Sequence, residues 1–141
     1  MTTRWTLTFD CADPAMLTKF WALALGYVDR PPPEGFESWD DWFAHYDIPD
    51  EERGDAGYLC DPDGRLPNVS FLKVPEGKTA KNRVHLDIQV GGGRGNPWEV
   101  REPHVLDMVA RLEAAGGTVL HSFEGDHVMM ADPEGNEFCV L

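Results

Sequence analysis

One short phrase occurs twice in this chain. Asp61-Pro62-Asp63-Gly64 returns as Asp132-Pro133-Glu134-Gly135, 71 residues later in a chain of 141. Proline presets one backbone angle of a tight reversal, and glycine accepts the positive φ that many reversals need. Apolar stretches flank both copies, so each is predicted to be the turn of a β-hairpin. Two such turns half a chain apart predict a duplicated module.

The segments around the turns fit that reading. In residues 4–11, Trp5, Leu7, Phe9 and Cys11 alternate with Arg4, Thr6, Thr8 and Asp10, the pattern of a half-buried strand. Asp13 and Pro14 then cap and open a helix with Leu17, Phe20, Trp21 and Ala24 on one face, and Gly26 ends it. Residues 27–30 make a short strand, and residues 56–60 and 68–74 flank the first turn. In residues 84–90, Val84, Leu86, Ile88 and Val90 face one way, and His85, Asp87 and Gln89 face the other. A flexible loop is expected at 91–96. Pro103 opens a second helix with a Val105, Val109, Leu112 stripe, stopped at Gly116 and Gly117. Strands at 118–121, 127–131 and 136–141 complete the chain. The order is strand, helix, then three strands, written twice.

The halves differ by an insert. The first helix begins 48 residues before its turn (Asp13 to Asp61), the second 29 before (Pro103 to Asp132). The excess falls in residues 31–55, which are rich in proline and acid. Within them Ser38 caps a short helix that carries Trp39, Trp42, Phe43 and Tyr46 on one face. These rings either form a lid over a ligand, dock the insert on the core or bury a subunit interface.

Composition narrows the class. The chain is 42% hydrophobic with 11% aromatic residues, enough for one folded domain over residues 1–141. Its modules are predicted at 1–75, with the insert 31–55, and at 83–141. A net charge of −13 disfavours nucleic acid and anionic membrane surfaces as partners. No apolar run is long enough to span a bilayer, and the first ten residues lack signal-peptide character. Cys11, Cys60 and Cys139 form no zinc-ribbon spacing and no even disulfide framework, so a reducing, cytoplasmic location is expected.

Several segments carry a resemblance to a known family. They are Asp10-Cys11-Ala12-Asp13-Pro14, Phe20-Trp21, Ala24-Leu25-Gly26-Tyr27, Val74-Pro75-Glu76, the run from Lys81 to Asp87, and the run from Asp132 to Val140. Together with the βαβββ order they resemble the vicinal oxygen chelate superfamily, which includes glyoxalase I, bleomycin-resistance proteins and extradiol dioxygenases. The match is closest to its bacterial glyoxalase-like group. The resemblance implies an α+β fold of two βαβββ modules forming a curled mixed sheet around a cleft, a small-molecule ligand and a homodimer.

In metal-dependent members the ligands project from the first and fourth strands of each module. Carried over by motif, those places are Thr6, Ser70, His85 and Cys139. Only His85 keeps a strong ligand type, and Cys139 stands where a carboxylate is usual. No cofactor is therefore expected, with a divalent metal at His85 as the alternative. This departure counts against glyoxalase I chemistry, which needs a metal to polarise a carbonyl.

The expected function is isomerase- or lyase-type proton transfer on an oxygenated metabolite. His85 and Asp87 are the catalytic candidates. Gln89, Thr6, Thr8, Ser70, Cys139, Trp39 and Trp42 are the ligand-binding candidates. The rival is a non-catalytic, drug-sequestering binder of the bleomycin-resistance type. Each candidate also has a plain reading: His85, Asp87 and Gln89 as a polar row that steadies a sheet, Cys139 as a small buried hydrophobe, Asp10 as a turn hydrogen-bonder. Lys78, Lys81 and Arg83 either capture an anion or pair with nearby acids.

Overall fold

The computed structural model describes all residues, 1–141. The elements run β1 (Leu7–Cys11), α1 (Pro14–Leu25), β2 (Val28–Asp29), α2 (Trp39–His45), β3 (Ala56–Cys60), β4 (Val69–Lys73), β5 (Asp87–Ile88), α3 (Trp98–Ala114), β6 (Thr118–Phe123), β7 (His127–Ala131) and β8 (Glu137–Val140). They form two four-stranded mixed sheets, ordered β1-β4-β3-β2 and β5-β8-β7-β6. The fold is α+β, and it repeats βαβββ. The chain forms two compact units, one of residues 1–22 and 26–76, the other of 23–25 and 77–141. No helix is long and apolar enough to cross a membrane.

The repeated turns behave as their chemistry dictates. The Asp61 carboxylate accepts from the backbone N–H of Asp63, Arg65 and Leu66 at 2.8–3.0 Å. These bonds, led by that from Asp63, hold its pKa below the usual carboxylate value. The Asp132 carboxylate accepts from the N–H of Glu134 and Asn136 and from the Asn136 side chain. In each turn the glycine N–H returns to the aspartate carbonyl at 2.9 Å, with φ of 67° at Gly64 and 87° at Gly135.

In the first unit, β1 pairs parallel with β4 and β4 antiparallel with β3. Asp13 accepts from Met16 N–H at 3.0 Å to start α1, and Gly26, at φ 68°, ends it. The buried side chains Leu17, Phe20, Trp21, Leu59, Val69 and Phe71 form the core. Phe9 adds to it, with its ring centroid 4.8 Å from Trp21 and 5.3 Å from Phe71. Ser38 caps α2 by accepting from Asp41 N–H at 3.0 Å.

In the second unit, α3 lays Val105, Val109 and Leu112 against Val128, Met130, Phe138 and Val140, all buried. β8 therefore turns Phe138 and Val140 to the helix and the alternate residues, Glu137 and Cys139, to the opposite face.

Four expectations need correction. The first strand begins at Leu7, not at residue 4, because β4 begins only at Val69 and supplies no ladder partner further back. Trp5 is accordingly exposed, and Thr6 lies just outside the strand. The strand expected over 84–90 has regular strand geometry only at Asp87–Ile88, although its backbone hydrogen bonds to the last strand run from the Leu86 carbonyl to the Val90 N–H, and Val84 is exposed. The second helix starts at Trp98, and Pro103 lies inside it. Its first turn is anchored by buried Arg101, which donates to the carbonyls of Asn96 and Asp126 at 3.0 Å and stacks on Trp98. Finally, the glycine-rich segment 91–96 is pinned rather than loose. It holds a 3-10 turn at Gly93–Gly95, and Arg94 makes a two-pronged bond to Asp126 at 2.9 and 3.0 Å.

Candidate active site

The second unit gathers three of the expected residues. Asp87 lies directly across the parallel β5–β8 pair from Cys139. His85 lies two residues earlier on the same side, with Nε2 3.3 Å from Asp87 Oδ1. One potential donor atom from each of His85, Asp87 and Cys139 falls within 4.8 Å of the others. The His85 and Asp87 side chains are 45% and 43% exposed, whereas Cys139 is buried at 5%. Burial, followed by the neighbouring Asp87 carboxylate, pushes the Cys139 thiol pKa up. Gln89 continues the row, and its side-chain oxygen packs so closely on Gly93 that a Cβ there would collide with it.

A charged network borders this row. Asp126 accepts from Arg94 and contacts His127 Nδ1 at 2.7 Å. Arg94 first, then His127, hold the Asp126 pKa well below the usual carboxylate range. The Arg94 charge is also felt by Asp87 and Cys139. On the other side, Glu137 binds the connector before β5, accepting from Asn82 N–H at 3.0 Å and pairing with Lys78 at 3.2 Å. Of the three expected anion-capturing cations, Lys78 is thus paired with an acid.

The first unit repeats the framework without the donors. Thr8 faces Ser70 across β1–β4 as Asp87 faces Cys139. Tyr58 pairs with Ser70, and Met129 with Cys139. Tyr58 and Met129 each stand three residues before the repeated turn. By this register Thr6, Thr8 and Ser70 are the counterparts of His85, Asp87 and Cys139. Thr6 borders an open recess of about 590 Å³ with Arg4, Arg65 and Asn68. Trp39 stacks on Tyr58, and Trp42 joins Trp39, Phe43 and Tyr46 in one aromatic cluster.

The donor chemistry fits a cation. Imidazole, carboxylate and thiolate suit a borderline ion of the zinc type better than a hard ion such as manganese. Three potential donors with an exposed side would leave a coordination position open, as catalytic zinc sites do. Sequence reading singled out only His85 as a strong ligand. It missed Asp87 as a potential third donor, although the two-residue spacing already placed both on one face. It also missed Arg94, Asp126 and Arg101, which come together from three separate segments and leave no periodic signal.

Comparison with known proteins agrees with this architecture. A family model described as a glyoxalase-like domain matches residues 6–141. A possible glyoxalase from Bacillus cereus is 15% identical, with a TM-score of 0.63 over 100% of this chain and 99% of that one. A glyoxalase/bleomycin resistance protein/dioxygenase family enzyme from Burkholderia phytofirmans is 14% identical, with a TM-score of 0.59 over 96% and 94%. A point mutant of the fosfomycin resistance protein FosX from Listeria monocytogenes, in complex with Mn(II) and 1S,2S-dihydroxypropylphosphonic acid, is 11% identical, with a TM-score of 0.59 over 99% and 89%. No curated protein sequence matches the chain.

Proposed function

We propose, starting from a chain that belongs to the glyoxalase-like domain family, an enzyme that moves a proton on a small oxygenated metabolite. The chemistry is of the isomerase or lyase kind and is not that of glyoxalase I. The observation that carries the reading is the 3.3 Å approach of His85 Nε2 to Asp87 Oδ1 on an accessible face. In neutral imidazole one nitrogen donates and the other accepts. With Nε2–H directed at Asp87, Nδ1 keeps its lone pair and serves as the base. The Asp87 carboxylate orients the ring and stabilises the imidazolium that forms on proton uptake. Gln89, which continues the same row, is assigned to ligand binding beside them.

In the alternative in which His85, Asp87 and Cys139 hold a divalent cation of the zinc type, the cation would supply Lewis acidity toward a substrate oxygen, and His85 and Asp87 would act as ligands in place of the base and its orienting partner. The reading includes a homodimer in the cytoplasm, supported by the family resemblance and by three free cysteines.

A second reading, a non-catalytic binder of the bleomycin-resistance type, is favoured by one observation. The register counterparts of the donor set, Thr6, Thr8 and Ser70, contain no acid or base that works near neutral pH.

The deciding experiment follows hydrogen–deuterium exchange at the carbon acid of hydroxyacetone in D2O by NMR. Acceleration by the wild type and its loss by about 10²- to 10⁴-fold in His85→Ala support the enzyme. If hydroxyacetone raises the melting temperature without exchange, the binder replaces it.

A further inference from the structure

A second recess lies in the first unit, beside the insert helix. Its volume is about 380 Å³, within the range of small-molecule sites. Trp39, Phe43 and Tyr58 give it an aromatic wall, and Lys19, Arg30 and Arg53 bring three cations to its lining against a single acid, Asp29. The chain has 12 basic residues against 25 acidic ones, so this is a local reversal of its charge.

The three cations are not equivalent. Arg53 is already committed: it pairs with Asp50 at 3.1 Å and Asp40 at 4.0 Å, and donates to the Ile48 carbonyl at 3.2 Å. Arg30 forms no ion pair. Its guanidinium carbon lies 5.9 Å from the Trp39 ring centroid and 5.6 Å from that of Tyr58. Those two rings are themselves stacked, 4.5 Å apart and 8° from parallel. The Trp39 indole N–H donates to the Arg30 carbonyl at 2.9 Å, which fixes the ring beside its own cation. Lys19 also forms no ion pair. A guanidinium held against π faces keeps its planar donor fork for a carboxylate. In a chain with an excess of acids, two cations left unpaired at one aromatic recess are an anion-binding arrangement.

The floor of the recess is built tightly. Gly57 lies against Thr18 Oγ1, and any Cβ at Gly57 would collide with it. The absence of that Cβ lets the β3 backbone approach α1 and sets the depth of the recess.

We propose that this recess is a second small-molecule site, for a planar aromatic carboxylate. Arg30 and Lys19 bind its carboxylate, and Phe43 and Trp39 receive its ring. The assignment is independent of the proton-transfer chemistry at His85.

Calorimetric titration with 2-naphthoate, and with its uncharged analogue 2-naphthamide, tests the site on the full chain. Naphthoate is expected to bind saturably and naphthamide about tenfold or more weakly. Arg30→Gln is expected to weaken naphthoate by about tenfold, and Lys19→Gln, on an exposed side chain, by a smaller factor that keeps the test open if Arg30→Gln fails to fold. His85→Ala is expected to leave naphthoate affinity unchanged. Absence of saturable binding, equal affinity for the amide, or indifference to both cation variants would overturn the proposal. Loss of naphthoate binding in His85→Ala would also overturn it, by moving the ligand to the other unit.

Discussion

Asp87 and Cys139 face each other across a parallel strand pair, so an accessible carboxylate stands beside a buried thiol. Each constrains the other. The carboxylate adds to the desolvation that keeps the thiol protonated, and the thiol offers a latent ligand that only proton loss can release.

That pairing sets the reactivity of the thiol. Iodoacetamide at neutral pH is expected to label partly exposed Cys60 well before buried Cys139. Asp87→Asn should raise the Cys139 rate by roughly a few-fold, because removing the neighbouring charge eases ionisation. Peptide mass spectrometry of timed samples gives both rates, and an unchanged Cys139 rate in the variant would show that burial alone protects it.

Zinc should bind wherever the three donors survive together. Cys139→Ser is expected to weaken zinc by at least about tenfold, since a hydroxyl is a poor substitute for thiolate. Competition titration against a chromogenic chelator measures the loss. Equal affinity in the variant would remove Cys139 from the ligand set.

Asp126 should shape the acid limb of the stability curve. Its folded pKa is depressed, first by Arg94 and then by His127. Its stabilising contribution is therefore fully present above the unfolded carboxylate pKa of about 3.9 and is lost as pH falls toward the folded value. Asp126→Asn should melt lower than wild type at neutral pH and converge with it in acid. Parallel melting curves across the whole range would show that the network contributes nothing to stability.

The two repeated turns should differ in fragility. Asp132 is buried at 3% exposure and satisfies two backbone N–H groups and an asparagine side chain. Asp132→Ala is expected to cost about 1–3 kcal/mol in urea unfolding, the cost of stranding the part-buried donors it satisfies. Asp61→Ala, at a solvated turn, should cost less. The reverse order would sink the burial argument.

Gly57 and Thr18 should show strong coupling. Gly57→Ala is expected to destabilise by about 1–3 kcal/mol through overpacking on the Thr18 hydroxyl. Thr18→Ala removes that oxygen, so the double variant should recover part of the loss, giving a non-additive cycle. Simple additivity would mean that the two residues relax independently.

Local rules made much of the fold readable in advance. Asp13, Ser38 and Gly26 cap their helices as their side chains predict, because a cap is decided within one turn of chain. The duplicated Asp-Pro-acid-Gly turn announced two hairpins for the same reason. Strand ends were less legible. Thr6 and Val84 lie outside the ladders because pairing depends on how far the partner strand reaches, which alternation does not encode. Pro103 misled because a proline inside a helix can be outweighed by an anchor such as Arg101, whose acceptors come from residues 96 and 126. At the site, spacing put His85 and Asp87 on one face. The meeting with Cys139 required the register of a strand some fifty residues away.

The shared register of Thr8 with Ser70 and Asp87 with Cys139 has a practical use. The first half of the molecule is a blank copy of the second, with matching strand pairing and hydroxyls in place of donors. Writing His at Thr6, Asp at Thr8 and Cys at Ser70 would transplant the donor set onto an equivalent ladder, with the native half as its reference in the same tube. The chain carries its own internal standard.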